Sequence, residues 1–234
     1  MEYVVSDTEL KANSAVQELY KSGIQISNIV KILSAGLLGL KKNRKLVPTR
    51  WSITAVDDSI SKDLLKKIKA YPEISSFQIF HSEYLGNHYE FILFPEKFSF
   101  EVIEIKINEF GSISGIWQDS ETIFNRKKYA ESVTGAYYSN HLALVEYLER
   151  IKKQASCLVV RQITPEYWAP LGVGILRETS RDAFSKKPEV FNALQEASKT
   201  VQSRLKIDVR EYLARSKLIK EYKTQRKLAE FTNI

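Results

Sequence analysis

The chain has one cysteine among its 234 residues, Cys157. A lone thiol closes no intramolecular disulfide and supplies no multi-cysteine zinc site, which fits a reducing cytoplasm. Long apolar runs are also missing. No segment approaches the length of a bilayer span, and the start carries no signal-peptide apolar stretch with a cleavage site, so a soluble, cytoplasmic protein is expected. The usual catalytic signatures are missing too. There is no Gly-rich phosphate loop, no His-Glu-x-x-His helix and no Gly-x-Ser-x-Gly elbow, and Gly172-Val-Gly lacks the third glycine of a dinucleotide fingerprint. Any chemistry here uses a less common site.

What is present is enough for a folded body. The residues are 44% hydrophobic, ample for a sizeable core. The net charge of +7 becomes informative once located: Lys199 to Lys227 hold ten basic residues against three acidic ones, an excess equal to that of the whole chain. A basic helical arm in which Arg210, Arg215, Lys217 and Lys220 touch DNA phosphates is one reading, and a solvated helix face is the other. The expected organisation is an N-terminal helical segment (1–40), an α+β core (41–198), the basic arm (199–222) and a tail (223–234).

The stretch Lys45 to Lys62 concentrates a cation, an aromatic and two carboxylates at a predicted helix start. Pro48 fixes an extended approach, and Asp57 or Asp58 is read as the cap of a helix carrying Ile60, Leu64, Leu65 and Ile68 at helical spacing. Arg50, Asp57 and Asp58 are then expected to line a pocket with Arg161 or Arg177. Before it, a helix from Ser6 or Asp7 to about Lys21 and a second from Ser27 to Leu38 lead to the basic loop Lys41, Lys42, Arg44 and Lys45, either a phosphate contact or a solvated loop.

Beyond Pro72 the pattern turns to strands. Ile74 to Tyr84 and His88 to Pro95 read as a hairpin with Gly86-Asn87 as its turn. Tyr84 would face Tyr89, and His81, Glu83, His88 and Glu90 would share one face. Two imidazoles and two carboxylates so placed suit a divalent transition metal, Mg or Mn being the ions expected if the protein is a nuclease, although polar residues at a hairpin tip more often face water. Phe98 to Asn108 and Ser112 to Gln118 read as further strands, Ser139 to Lys153 as an amphipathic helix, and Leu158 to Ile163 as a buried strand followed by a helix opening at Pro165. Arg161 and Arg177 are candidate phosphate ligands, or partners of Glu166 and of Glu178 or Asp182. Trp51 and Trp168 are read as core residues. The fold class expected is α+β: an antiparallel sheet of about four to five strands covered by helices, with a C-terminal helical arm.

Several long strings carry a resemblance: Lys45 to Lys62, Gly135-Ala-Tyr-Tyr, Leu144 to Gln154, and Leu158 to Glu178. They resemble the archaeal DNA repair family called Nre, from about Ile29 to the C-terminus. That family is longer, with a Cys-rich zinc-type motif in its N-terminal half, so what that motif does is not carried onto a chain whose only cysteine is Cys157. The resemblance implies a repair factor docked on the sliding clamp (PCNA), nucleoid-associated, with a body that binds nucleic acid or nucleotide. The last residues are similar to a clamp-binding motif: Gln225, then Leu228, then Phe231, with Thr232 where a second aromatic is usual. The alternative is a metal-dependent nuclease or nucleotide hydrolase using Asp57, Asp58 and Glu90, with carboxylates holding ions that generate hydroxide.

Overall fold

A computed structural model describes residues 1–168 and 172–224, apart from the side chain of Lys223. The chain folds as two compact units: Met1–Pro72 with Thr134–Lys153 and Ala169–Ser185, and Glu73–Val133 with Gln154–Trp168 and Lys186–Ile234. Among the described residues no helix is long and apolar enough to cross a membrane.

The first unit is helical: α1 (Glu2–Ser6), α2 (Ala12–Lys21), α3 (Ile26–Ser34), α4 (Thr49–Ile68), α5 (Gly135–Ile151) and α6 (Val173–Ser185). The helix expected from Ser6 or Asp7 begins only at Ala12, because the Asp7 carboxylate takes the N–H groups of Glu9 and Leu10 and holds a turn after the short α1. The larger correction concerns α4. It begins at Thr49 behind an extended Pro48, so Asp57 and Asp58 sit mid-helix and cap nothing. Its buried side is partly hydroxyl, with Ser52, Thr54, Ser59 and Ser61 inside, and this hides the helical stripe from an apolar count. Thr54 donates back to the carbonyls of Arg50 and Trp51, which lets a buried hydroxyl be satisfied by its own helix.

The second unit is a six-stranded sheet in the order β4-β3-β5-β2-β1-β6, made of β1 (Phe77–Tyr84), β2 (Asn87–Phe94), β3 (Ser99–Ile107), β4 (Ile113–Glu121), β5 (Ser156–Ile163) and β6 (Glu189–Phe191). All neighbours run antiparallel except β3 and β5. The α+β class is as expected, with a strand more than foreseen. The hairpin turn is Leu85-Gly86 and not Gly86-Asn87, so Tyr84 pairs with Asn87 and Ser82 with Tyr89. Both turn residues have positive φ, 44° and 74°, as a tight primed turn requires. A Cβ on Gly86 would lie 2.5 Å from the Tyr167 nitrogen. Asn87 is thereby kept in the strand, where its side chain is needed. No helix opens at Pro165; a turn closes there, with Tyr167 N–H donating to the Thr164 carbonyl at 3.0 Å.

The C-terminal helices α7 (Leu194–Gln202), α8 (Val209–Arg215) and α9 (Lys217–Thr224) cover one face of this sheet. Val201, Leu205, Val209, Tyr212, Leu218 and Ile219 pack onto Phe77, Ile79, Ile92, Ile103, Ile105 and Val160, each fully buried side chain contributing about 1.5–3 kcal/mol. The start of α9 is fixed by Glu101 of β3, itself fully buried. Its carboxylate accepts from the Ser216 hydroxyl, from Lys217 N–H at 3.0 Å, from Leu218 N–H at 3.1 Å and from the Gln118 amide at 2.6 Å. Replacing Glu101 by Ala strands these donors, and the expected loss is about 3 kcal/mol in urea unfolding, with faster amide exchange in α9.

Candidate functional site

In the helical unit the polar centre is the pair Asp57 and Arg177. Asp57 is fully buried on α4, and Arg177, nearly so, comes from α6. The Arg177 Nη1 donates to Asp57 Oδ1 at 2.5 Å, and Arg177 Nε lies 3.6 Å from Glu178, the partner also expected for it; among the described residues Asp57 Oδ2 and Arg177 Nε make no hydrogen bond. Burial lifts the Asp57 carboxyl to about 6, against the opposing pull of Arg177. Outward from this pair, Arg181 grips Glu146 with Nε and Nη2 at 2.8 and 2.6 Å, and Tyr20 donates to the same carboxylate at 2.9 Å. Burial and Glu146 raise the Tyr20 hydroxyl, which stays protonated as a donor. Tyr20, Gln25, Glu146, Arg177 and Arg181 line a surface cavity of about 570 Å³. A buried carboxyl titrating near neutrality beside a guanidinium is a common feature of functional sites, but Asp57 does not line this cavity, and of the pair only Arg177 reaches its wall.

Of the residues expected here, Asp57 meets Arg177. Asp58 points outward to Lys62 at 2.6 Å, and Arg50 is exposed, 5.5 Å from the centre of the Trp51 ring. The tryptophans read as core are not: Trp51 is 45% exposed and Trp168 85%.

In the sheet unit, His81, Glu83, His88 and Glu90 do share a face, paired as His81 with Glu90 and Glu83 with His88. The turn shift moved the register by two residues, which leaves every side chain on its expected face. Arg204 closes on this cluster, with Nε and Nη2 on the two Glu90 oxygens at 2.7 and 2.9 Å and Nη1 on Glu189 at 2.8 Å. His88 Nε2 lies 2.7 Å from Glu90. Burial pulls the His88 imidazole down, but Glu90 and Glu83 outweigh it and the net shift is upward. Among the described residues no three His, Cys, Asp or Glu side chains are grouped to hold a metal ion. Arg161 is not a partner of Glu166, which lies 3.7 Å from Lys206. It donates instead to Glu104 at 2.5 Å and to Asn87 through Nε at 3.1 Å, and it stacks near Tyr89 and Tyr167. Cys157 is fully buried and its thiol is pushed up by burial, so it is no nucleophile.

The partners that sequence reasoning missed are Glu104, Asn87, Arg204, Arg181 and Glu146. Two of the buried acids announce themselves: Glu101 and Glu104 interrupt the otherwise apolar run of β3, and a carboxylate in such a strand implies donors aimed at it. In the basic segment, Arg210 pairs with Asp208 and Arg215 with Glu211, whereas Lys217 and Lys220 are exposed. Gln225, Leu228 and Phe231 lie outside the described residues.

Removing one member of the buried pair exposes its energetics. Arg177→Met is expected to cost about 3 kcal/mol in urea unfolding at pH 7, since it leaves the Asp57 carboxyl buried without its partner and lets burial raise it further. The sign for pH is fixed by the raised carboxyl. The folded state holds the Asp57 proton more tightly than the unfolded chain, so ionisation lowers stability as pH rises from about 4 through about 6. Asp57→Asn should remove that decline, read as unfolding midpoints compared at pH 4.5 and 7.

Two sequence models match the chain, "Archaeal Nre, N-terminal" over residues 1–110 and "Archaeal Nre, C-terminal" over 121–231. The likeness thus reaches back to residue 1, beyond the Ile29 expected. Among curated proteins, the chain is 42% identical over 203 residues to "DNA repair protein NreA" of Archaeoglobus fulgidus, covering 84% of this chain and 52% of that protein. It is 40% identical over 236 residues to "DNA repair protein NreB" of the same organism, covering 99% and 59%. To "DNA repair protein NreA" of Haloferax volcanii it is 37% identical over 188 residues, covering 77% and 44%. The chain therefore spans about half the length of the curated relatives it matches. No solved structure matches. The two Nre models between them take in nearly the whole chain, and the chain belongs to the archaeal Nre family.

Proposed function

We propose that this protein is a DNA repair factor that is carried to its substrate by a sliding clamp (PCNA) and touches nucleic acid through its basic C-terminal helices. The relatives named as DNA repair proteins support the repair role. The observation that carries the reading is the arrangement at α9. Glu101 anchors the first turn of this helix, Lys217 and Lys220 project from it into solvent, and the Gln225, Leu228, Phe231 motif follows within one residue of its last described turn. A clamp ligand placed there would bring two uncompensated cations alongside the clamp's DNA. Binding is favoured over hydrolysis because Asp57, Asp58 and Glu90 each face a cation of their own, in Arg177, Lys62 and Arg204.

Two measurements test this. A peptide of residues 223–234 titrated into the clamp is expected to bind in the micromolar range, and Leu228→Ala or Phe231→Ala to weaken it by about tenfold or more, since each buried side chain contributes about 1.5–3 kcal/mol. Equal binding by all three peptides, or by none, removes the clamp from the reading. Lys217→Gln with Lys220→Gln is expected to weaken duplex binding regardless of sequence and to reduce the salt slope by about 2, whereas Arg210→Gln, whose charge Asp208 already answers, should change it less. A wild-type salt slope in the double lysine variant makes these helices a solvated face.

A further inference from the structure

A second basic surface lies in the helical unit, far along the chain from the first. From Leu19 to Val56 the sequence holds seven Lys and Arg and no Asp or Glu. One of these cations, Arg44, is spent internally: Nε donates to the Gly39 carbonyl at 2.8 Å, Nη1 to Val5 at 2.8 Å and Nη2 to Asp7 at 2.5 Å. The loop is tied down at further points. Ser34 and Val47 exchange two hydrogen bonds, Lys41 N–H donates to the Thr8 carbonyl at 3.0 Å, and the backbone of Lys45 runs so close to Gly36 that a Cβ there would come within 2.6 Å. Lys41, Lys42 and Lys45 are exposed on this fixed loop, with Arg50 beyond it, and none of the four makes an ion pair among the described residues. Apolar surface lies between the cations: Leu46 is 81% exposed and Trp51 45%. An apolar cavity of about 390 Å³ opens beside them, with Val47 and Lys45 in its wall.

We infer that the segment from Lys41 to Trp51 is a binding surface for single-stranded DNA, with the lysines on successive phosphates and a base stacked against Trp51. The inference rests on the reading that this chain acts on DNA, and adds to it a surface and a strand preference. A cationic track interleaved with an exposed aromatic fits a single strand, whose bases have free faces, better than a duplex, which offers mainly phosphates. Because Arg44 and the Gly36 contact hold the loop in shape already, binding need not order it first.

The test uses the full chain and fluorescence anisotropy with a labelled oligothymidylate and a labelled duplex over a range of salt. Lys41→Gln, Lys42→Gln and Lys45→Gln together should weaken single-strand binding and reduce its salt slope by about 2. Trp51→Ala should weaken single-strand binding about tenfold with an unchanged slope and leave duplex binding alone. All four positions are solvent-exposed, and circular dichroism melting checks that the variants are folded. A wild-type slope in the triple variant, or an unweakened single-strand affinity in Trp51→Ala, overturns the inference while leaving DNA binding through Lys217 and Lys220 intact. Failure of the unaltered protein to bind either DNA removes the DNA reading itself, and this surface with it.

Discussion

Removing a carboxylate from water costs several kcal/mol unless donors replace the lost hydration, and that requirement constrains this fold more tightly than its apolar packing does. Asp57, Glu90, Glu101 and Glu104 are all buried. Each is answered by a group distant in sequence: Arg177, Arg204, the Ser216 to Leu218 turn and Arg161. Leucine and isoleucine tolerate small rearrangements of their neighbours, but a buried anion does not tolerate the loss of its partner. On β3 the constraint works on both faces at once. Glu101 and Glu104 are three residues apart, so they point to opposite sides of the sheet, one to α9 and the other to Arg161 of β5. A one-residue slip of β3 would carry both carboxylates away from their donors, and register is thereby specified by charge as well as by hydrophobicity.

The elements legible from sequence are those whose pattern depends on side-chain periodicity alone. The hairpin face of His81, Glu83, His88 and Glu90 could be read although the turn was misplaced, because a shift of two residues preserves faces. The turn itself could not be read so easily. Gly86-Asn87 is a favourable turn pair, and only the tertiary need for Asn87 beside Arg161 and the close approach of Tyr167 to Gly86 move it one residue back. The start of α4 was hidden for a different reason: its buried side carries hydroxyls, of which Thr54 bonds to the helix's own carbonyls and Ser59 to Asn13, so burial leaves little apolar signal. The site itself was half legible. Asp57 and Arg177 could be named as candidates, but their pairing across 120 residues, and the support of Arg181 by Glu146 and Tyr20, depend on how helices pack.

Charge counting misleads here in an instructive way. The C-terminal excess equals the net charge of the chain, which invites the view that the remainder is featureless. A neutral sum conceals segregation, however, and the acid-free stretch from Leu19 to Val56 is balanced only by carboxylates elsewhere. Part of the C-terminal excess, in turn, is answered by acids outside that segment, since Arg204 pairs with Glu90 and Glu189 and Lys206 lies near Glu166.

Several arginines and several lysines differ in role, although Arg50 is exposed and Lys62 is paired with Asp58. Arg44, Arg126, Arg161, Arg181 and Arg204 each place several donors on internal carbonyls, amides or carboxylates, which suits a rigid, planar fork that loses little freedom per bond formed. The lysines at 41, 42, 45, 217 and 220 remain at the surface, where a flexible, strongly hydrated point charge belongs. That division has a functional consequence. Arginines committed to internal acceptors are not available to read base edges, whereas exposed lysines meet phosphates without regard to sequence. On the function proposed above, such a protein would hold DNA by salt-sensitive contact and leave the choice of where to act to whatever else brings it there.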